Sequence, residues 1–265
     1  MLPIVKFEAK EKAEFFNTLR QRVNDYFETK NIARTGNSTM VIKTFAMFAI
    51  YFVPYFLIMS NTLPLWAMWI MCAIMGLGAA GIGFSVMHDA NHGAYTRNKT
   101  LNEIIGLSIN VVGGSSFTWK VQHNFLHHTY TNIYELDEDI ADKPILRLSP
   151  HGKLLKIHRY QHIYAVFLYT LATVGWVTKK DFAQLIKYNR EGLTQKLGFN
   201  PNKELIILIV SKIVYFGYMV VLPLLLLEVT FWQWLLGFFT LHAVLGLIMT
   251  ILFQLAHLFE GPTHH

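Results

Sequence analysis

The chain has 265 residues, 53% hydrophobic and only 15% charged, with a formal net charge of +6. Charged residues make up about 25% of soluble domains, so this composition argues against a large soluble core and for a membrane protein. Its single cysteine, Cys72, excludes an intrachain disulfide framework and a cysteine-based zinc site.

Residues 1–39 are polar and charged, so no cleaved signal peptide is expected. Within them, residues 7–27 place Phe7, Phe15, Leu19, Val23, Tyr26 and Phe27 at helical spacing among charges. That pattern predicts an amphipathic helix lying on the membrane or on the rest of the protein. The alternative is an ordinary surface helix.

Four apolar segments follow, 41–60, 64–87, 204–227 and 231–256. Each has the ~20 residues needed to cross ~30 Å of hydrocarbon. The short links "SNTLP" and "EVTFW" contain no Lys or Arg, whereas residues 1–39 hold seven and residues 87–203 hold fourteen. This bias places the N-terminus and the middle region in the cytoplasm, and explains the basic charge without nucleic acid. Lys212, about two turns into the third segment, is expected to snorkel to the cytoplasmic interface. Two shorter apolar stretches, 104–118 (interrupted by Gly113 and Gly114) and 163–177, read as interfacial or re-entrant. The predicted fold is an all-α integral membrane protein: four transmembrane helices in two hairpins with a cytoplasmic helical cap carrying histidine boxes. One domain is expected, divided into an amphipathic segment (1–39), a first hairpin (41–87), the histidine region (88–203), a second hairpin (204–256) and a short C-terminal segment (257–265).

Three groups of histidines stand out among the twelve. In "MHDANHGA", His88 and His92 are four apart, just past the second apolar segment. On a continuing helix both imidazoles share one face. In "QHNFLHHTYTN", His123 and His127 repeat that spacing, and His128 is rotated ~100° from His127 on a 3.6-residue helix, where it can face a second metal. The third group is His257, at the end of the fourth segment. The second and fourth segments both begin outside, so both deliver a histidine to the cytoplasmic face. Making 163–177 a fifth crossing would send His257 ~30 Å away. Two boxes in one region favour a metal site over solvated surface histidines. Six candidate imidazoles exceed the four ligands of a structural zinc and suggest two metals. Imidazole suits Zn, Cu, Fe and Ni. His242, fifteen residues before His257, reads as a bundle histidine with a hydrogen-bonding partner. His151, His158 and His162 read as surface groups or as supports for ligands.

The stretches "HDANH", "GGSSFTWKVQHNFLHHTYTNIYELDEDI" and "HRYQHIYA" resemble the membrane fatty-acid desaturase family, most closely its bacterial front-end, linoleoyl-CoA-type members. The resemblance implies a four-span fold with a di-iron site held by His88, His92, His123, His127, His128 and His257. It implies that Trp119 matches an aromatic residue near the acyl tunnel. The activity implied is O2-dependent introduction of a double bond into an acyl chain on CoA or a membrane lipid, in a bacterial inner membrane. Electrons would come from an external ferredoxin or cytochrome-b-type haem protein. Asp89 and Asn91, lying between ligands, are candidates to orient imidazoles. Asp137, Glu138 and Asp139 could hold a cap histidine, but a solvated loop is the preferred reading.

The family's third box, H/QxxHH, falls several tens of residues after the position matched by His257. This sequence stops at His265, and His264 and His265 follow too closely to be that box. The expectation is a chain truncated before the third box, with six of about nine family histidines and impaired activity. The alternatives are a lipid or alkane hydroxylase with the same metal site, and a non-catalytic membrane metal-binding or transport protein. A haem carrier would need facing histidines within the segments, where only His242 qualifies.

Overall fold

A computed structural model of the protein describes residues 13–141 and 145–257. Among these residues the regular structure is helical apart from one isolated bridge residue. Four helices are long and apolar enough to cross a membrane: Ser38–Met59, Leu65–Asn91, Pro201–Leu226 and Phe231–Ala256, the last continuing to His257. They are called here the first to fourth long helices, and they fall on the four predicted segments.

Local chemistry sets their starts. Asn37 caps the first, its side chain accepting from Met40 N at 3.2 Å. Asn200 caps the third, accepting from Asn202 N and Lys203 N, and Pro201 takes the first-turn position, where its missing N–H has no helical partner to lose. At the other end of the bundle Asn61, in the left-handed region (φ 57°), ties the two hairpins together. It donates to Leu226 O at 2.9 Å and accepts from Glu228 N at 3.1 Å.

The second and fourth long helices run side by side in the same direction. Gly76 lies against the Leu241 carbonyl and Val244, Gly83 against Met249, and Phe84 against Phe253 (ring centroids 6.4 Å). A Cβ on Gly76 would approach Leu241 O to 2.7 Å, so only glycine permits this packing. The parallel register brings the His88 and His257 ends of the two helices to one end of the bundle. Tyr51, Met75, Ile82, Tyr215, Leu241 and Met249 are among the buried residues that join all four long helices in one core.

The predicted amphipathic segment forms a helix over Ala13–Lys30, with Phe15, Leu19, Val23 and Tyr26 exposed; residues 1–12 lie outside the described part. Residues 104–118 fold as Lys99–Gly106, Ser108–Val111 and, after a turn at Gly113, Ser116–Trp119. The 163–177 stretch is the helix Gln161–Gly175, here the side helix, which continues through a π-turn (Trp176–Lys180) into Asp181–Arg190. It packs antiparallel on the fourth long helix: Tyr169 and Thr170 carbonyls lie against Gly246, and Thr173 bonds His242. Its continuation returns toward the histidine end, where Gln184 donates to Gln122 Oε1 at 2.7 Å. The side helix, through Tyr169 and Gln254, and its continuation both contact the histidine end of the bundle.

Lys212 departs from expectation. It does not snorkel; it is buried and pairs with Asp181 at 2.7 Å, and also donates to the Gly113 carbonyl at 2.6 Å. Asp181 further accepts from Thr118 (2.9 Å) and Trp176 Nε1 (2.8 Å). A buried charge is retained only when its partner and hydrogen bonds replace water, which this cluster provides.

Candidate metal centre

Both boxes adjoin π-helical turns. Residues Ile82–Met87 form one just before His88, and Lys120–His127 form a second that contains most of the other box. Such turns are rare and concentrate at functional sites. Their effect here is geometric. His128 N–H bonds to the His123 carbonyl, five residues back, so His127 and His128 flank His123 instead of diverging. The α-helical geometry expected for this box is therefore corrected. His128 stands 4.8 Å from His123 and 5.0 Å from His92, ring to ring. His88 and His92 keep the helical i, i+4 relation, with His92 N–H on His88 O at 3.0 Å and ring centroids 4.5 Å apart.

Five of the six predicted ligands thus come together. His92 lies 5.3 Å from His123, and His123 stacks on His127 at 5.2 Å. Donor atoms of His88, His92 and His123 lie within 4.8 Å of one another, as do those of His123, His127 and Asp139. Imidazole bonds a metal at about 2.1 Å, so donors as close as those of the first set fit around one ion; in the second set Asp139 meets the Nδ1 atoms of the two rings. The backbone of His257 ends the fourth long helix at this end of the bundle. Its side chain lies outside the described residues, as do His264 and His265.

Carboxylates hold the rings. His127 Nδ1 meets Asp137 at 3.0 Å, His123 Nδ1 meets Asp139 at 3.0 Å, and His88 Nδ1 meets Asp89 at 3.1 Å. A ring bound to a carboxylate through Nδ1 ligates a metal through Nε2, with its tautomer and orientation set and its basicity raised. Asp137 and Asp139 are buried, which corrects the solvated-loop reading. Asp137 also accepts from Asn132 N and Asp139 N at 3.0 Å each, so the loop "ELDEDI" folds around its own carboxylates. The signal was present in the sequence as an acidic cluster shortly after the second box. A solvated acidic loop has the same composition.

Of the two residues proposed to orient ligands, Asp89 touches His88, whereas Asn91 does other work. Asn91 accepts from Ser116 Oγ at 3.0 Å and donates to the Gly106 carbonyl at 3.4 Å, and its own carbonyl accepts from Asn124. It locks the first box to the segments that follow it. His158 accepts from Leu155 N within an exposed turn. His242 is buried in the bundle as expected, bonded to Thr173 (3.1 Å) and Tyr215 OH (2.8 Å).

The protonation of two rings, His92 and His128, suits metal binding. Desolvation, then the neighbouring His88, His123 and His128, pull His92 down to about 4. His128 is lowered for the same reasons, burial and then His123 and His127. Both rings are neutral near pH 7, the form that ligates. Burial pulls His127 down too, but the Asp137 hydrogen bond and the Asp137 and Asp139 charges outweigh it and raise it. Burial favours the neutral acid of Asp139, but the hydrogen bonds from His123 and Gln122 outweigh that and lower it.

Trp119, the predicted tunnel residue, is buried between the boxes. Its ring lies 4.7 Å from His123 and 5.6 Å from both His88 and His92. It also lines a cavity of about 230 Å³, open to the outside, between the side helix and the fourth long helix. The apolar part of this cavity is made by Leu168, Ala172, Trp176, Met249 and Phe253; Gln122, Glu138 and Asp139 form a polar end.

Comparison with known proteins agrees with this architecture. Residues 64–265 match the family model described as fatty acid desaturase. The chain is 30% identical over 263 residues to a protein named sn-1 linoleoyl-lipid 6-desaturase from Synechocystis sp., covering 98% of this chain and 72% of that one. It is 29% identical to the protein of the same name from Arthrospira platensis (93% and 66% covered) and 31% identical to an acyl-lipid (8-3)-desaturase from Physcomitrium patens (94% and 52% covered). The chain thus spans between about half and three-quarters of the length of these relatives. No solved structure matches.

Proposed function

Since the chain belongs to the fatty acid desaturase family, we propose that it introduces a double bond into a fatty acyl chain, on a membrane lipid or on CoA. The observation that carries this reading is the cluster of imidazoles with Nδ1 on carboxylates, set beside Trp119 and an apolar cavity of acyl-chain character. In this proposal His88, His92, His123, His127, His128 and His257 hold two iron ions. The donor set fits: imidazoles backed by carboxylates suit first-row divalent metals. Bound iron supplies the activation of dioxygen. The overall reaction removes two hydrogens from adjacent carbons, and two external electrons and two protons complete the reduction of O2 to two waters. A ferredoxin or a cytochrome-b-type haem protein supplies the electrons.

The chain's own residues do the rest. Asp89, Asp137 and Asp139 fix three ligand rings. Trp119, Met249 and Phe253 wall the cavity with apolar surface, so an alkyl segment replaces water next to the histidines. We place the histidine end on the cytoplasmic side of a bacterial inner membrane; the basic bias of residues 1–39 and 87–203 supports that orientation.

The test is expression in a host lacking such an activity, with acyl products analysed by gas chromatography and mass spectrometry and metal measured in the purified protein. New unsaturated acyl chains that disappear in His127→Ala are expected. Hydroxylated chains would move the protein to the hydroxylase reading. Metal uptake into vesicles with no change in lipids would move it to transport. The position of the cluster at the helix ends, away from the middle of the long helices, argues against transport.

A further inference from the structure

Residues 143–180 contain seven Lys or Arg and no Asp or Glu. Within this run, an exposed surface combines charge with bulk apolar groups. Lys153, Lys156 and Arg159 are exposed, and between and after them stand Leu154 (71% exposed), Ile157, Tyr160, Ile163 (65%) and Phe167 (65%). Water is a poor environment for the apolar side chains of that row, which stand exposed among the described residues. Its place in the fold says what covers them. The turn Lys156–Tyr160 leads directly into the side helix, which descends along the fourth long helix from the level of Gln254 (bonded to Tyr169 at 2.7 Å) to that of His242. The turn therefore sits at the histidine end of a membrane-spanning helix, where hydrocarbon gives way to headgroups.

We propose that Lys153–Phe167 is a docking surface for an anionic bilayer, its apolar side chains in the acyl region and its three cations on lipid phosphates. A basic amphipathic element at a membrane boundary binds in this way. The surface is tied to the cavity mouth. Gln161 and Arg147 exchange two hydrogen bonds of 2.9 Å, Tyr164 OH donates to the Ile145 carbonyl at 2.7 Å, and Leu146, Leu148 and Leu168 line the cavity itself. Docking thus holds the mouth level with the leaflet, so an acyl chain enters from lipid; this last step alone rests on the desaturase reading.

The experiment uses the full chain in lipid vesicles, with Cys72→Ser and Ile157→Cys carrying a nitroxide. Accessibility to oxygen, which partitions into lipid, is compared with accessibility to a water-soluble nickel chelate. One set of vesicles contains phosphatidylglycerol and the other only phosphatidylcholine. Each cation near an anionic surface multiplies attraction about fivefold. The expected result is a label shielded from nickel in anionic vesicles and less so in neutral ones. Reversing the charges (Lys153→Glu, Lys156→Glu, Arg159→Glu) should abolish the difference. A label open to nickel in both vesicles would give the surface to a soluble partner and overturn the proposal. So would shielding that ignores both lipid charge and charge reversal. Metal content of the same samples reports on the catalytic reading separately: loss of metal with the lipid contact intact would sink that reading alone.

Discussion

His127 and His242 are both buried histidines in the same helical bundle, but their surroundings differ in kind. His242 gives its two ring nitrogens to two hydroxyls, those of Thr173 and Tyr215, and Phe238 lies against the ring at 4.5 Å. His127 gives Nδ1 to a buried carboxylate and faces His123 and His128. Neutral partners on both nitrogens consume the ring and make it a brace between the side helix and the third long helix. A carboxylate on one nitrogen, with other imidazoles opposite, leaves a ring that is useful only toward a cation. What separates a bracing histidine from a proposed metal ligand here is the charge of its partner and the company of its neighbours; burial is common to both.

Exchanging the two roles by mutation breaks the comparison if it is wrong. The largest effect is expected for His127→Ala: bound iron, measured by plasma mass spectrometry, falls to background while helical content by circular dichroism is unchanged. His242→Ala should do the reverse. It opens a cavity and strands the Tyr215 and Thr173 hydroxyls, a combined cost of roughly 3–5 kcal/mol read as a lowered unfolding midpoint, with iron per folded chain retained. Iron loss in His242→Ala, or iron retention in His127→Ala, would remove the distinction. A third, smaller effect tests the carboxylates. Asp139→Asn keeps the shape and removes the charge behind His123, and should weaken metal affinity 10–100-fold, about 1.4–2.7 kcal/mol, in chelator competition. Unaltered affinity would make Asp139 a packing residue only.

Some of this contrast is written in the sequence and some is not. Hydropathy located the four long helices because apolar length is a local property. The i, i+4 spacing drew attention to both boxes, and the parallel delivery of two helix ends brings the backbone of His257 to the same end of the bundle. Three features escaped. The π-turn at Lys120–His127, which brings His128 back beside His123, depends on one extra residue in a turn and leaves no mark in periodicity. Asp137 and Asp139 look like any acidic loop until the loop is seen folded onto the histidines. Lys212 and Asp181 are 31 residues apart, and no local pattern announces their pairing. In each case the missing information is a long-range contact or a helix irregularity.

Glu138 offers the finest test, because it sits between the two carboxylates that hold histidine rings yet points the other way. Its carboxylate takes hydrogen bonds from Tyr188 OH (2.6 Å), Gln184 (3.2 Å) and Lys187, all on the helix Asp181–Arg190. The acidic loop is therefore held from both sides: Asp137 and Asp139 by the histidines, Glu138 by a helix that carries no ligand. Burial would raise the Glu138 acid above its ordinary value, but the bonds from Lys187 and Tyr188 outweigh it and set it lower. A carboxylate whose folded value is depressed adds stability above its unfolded value, near 4.3, and loses it as pH falls through the lower folded value. Glu138→Gln should thus be less stable than wild type at pH 6–7, by under ~1 kcal/mol for a partly exposed pair. The gap in unfolding midpoint should shrink steadily below pH 4.5. If the second support matters to the metal, Glu138→Gln should also loosen Asp139 and raise the metal off-rate without changing which ligands bind. A gap independent of pH would mean that Glu138 contributes shape alone, and that the histidines hold their loop unaided.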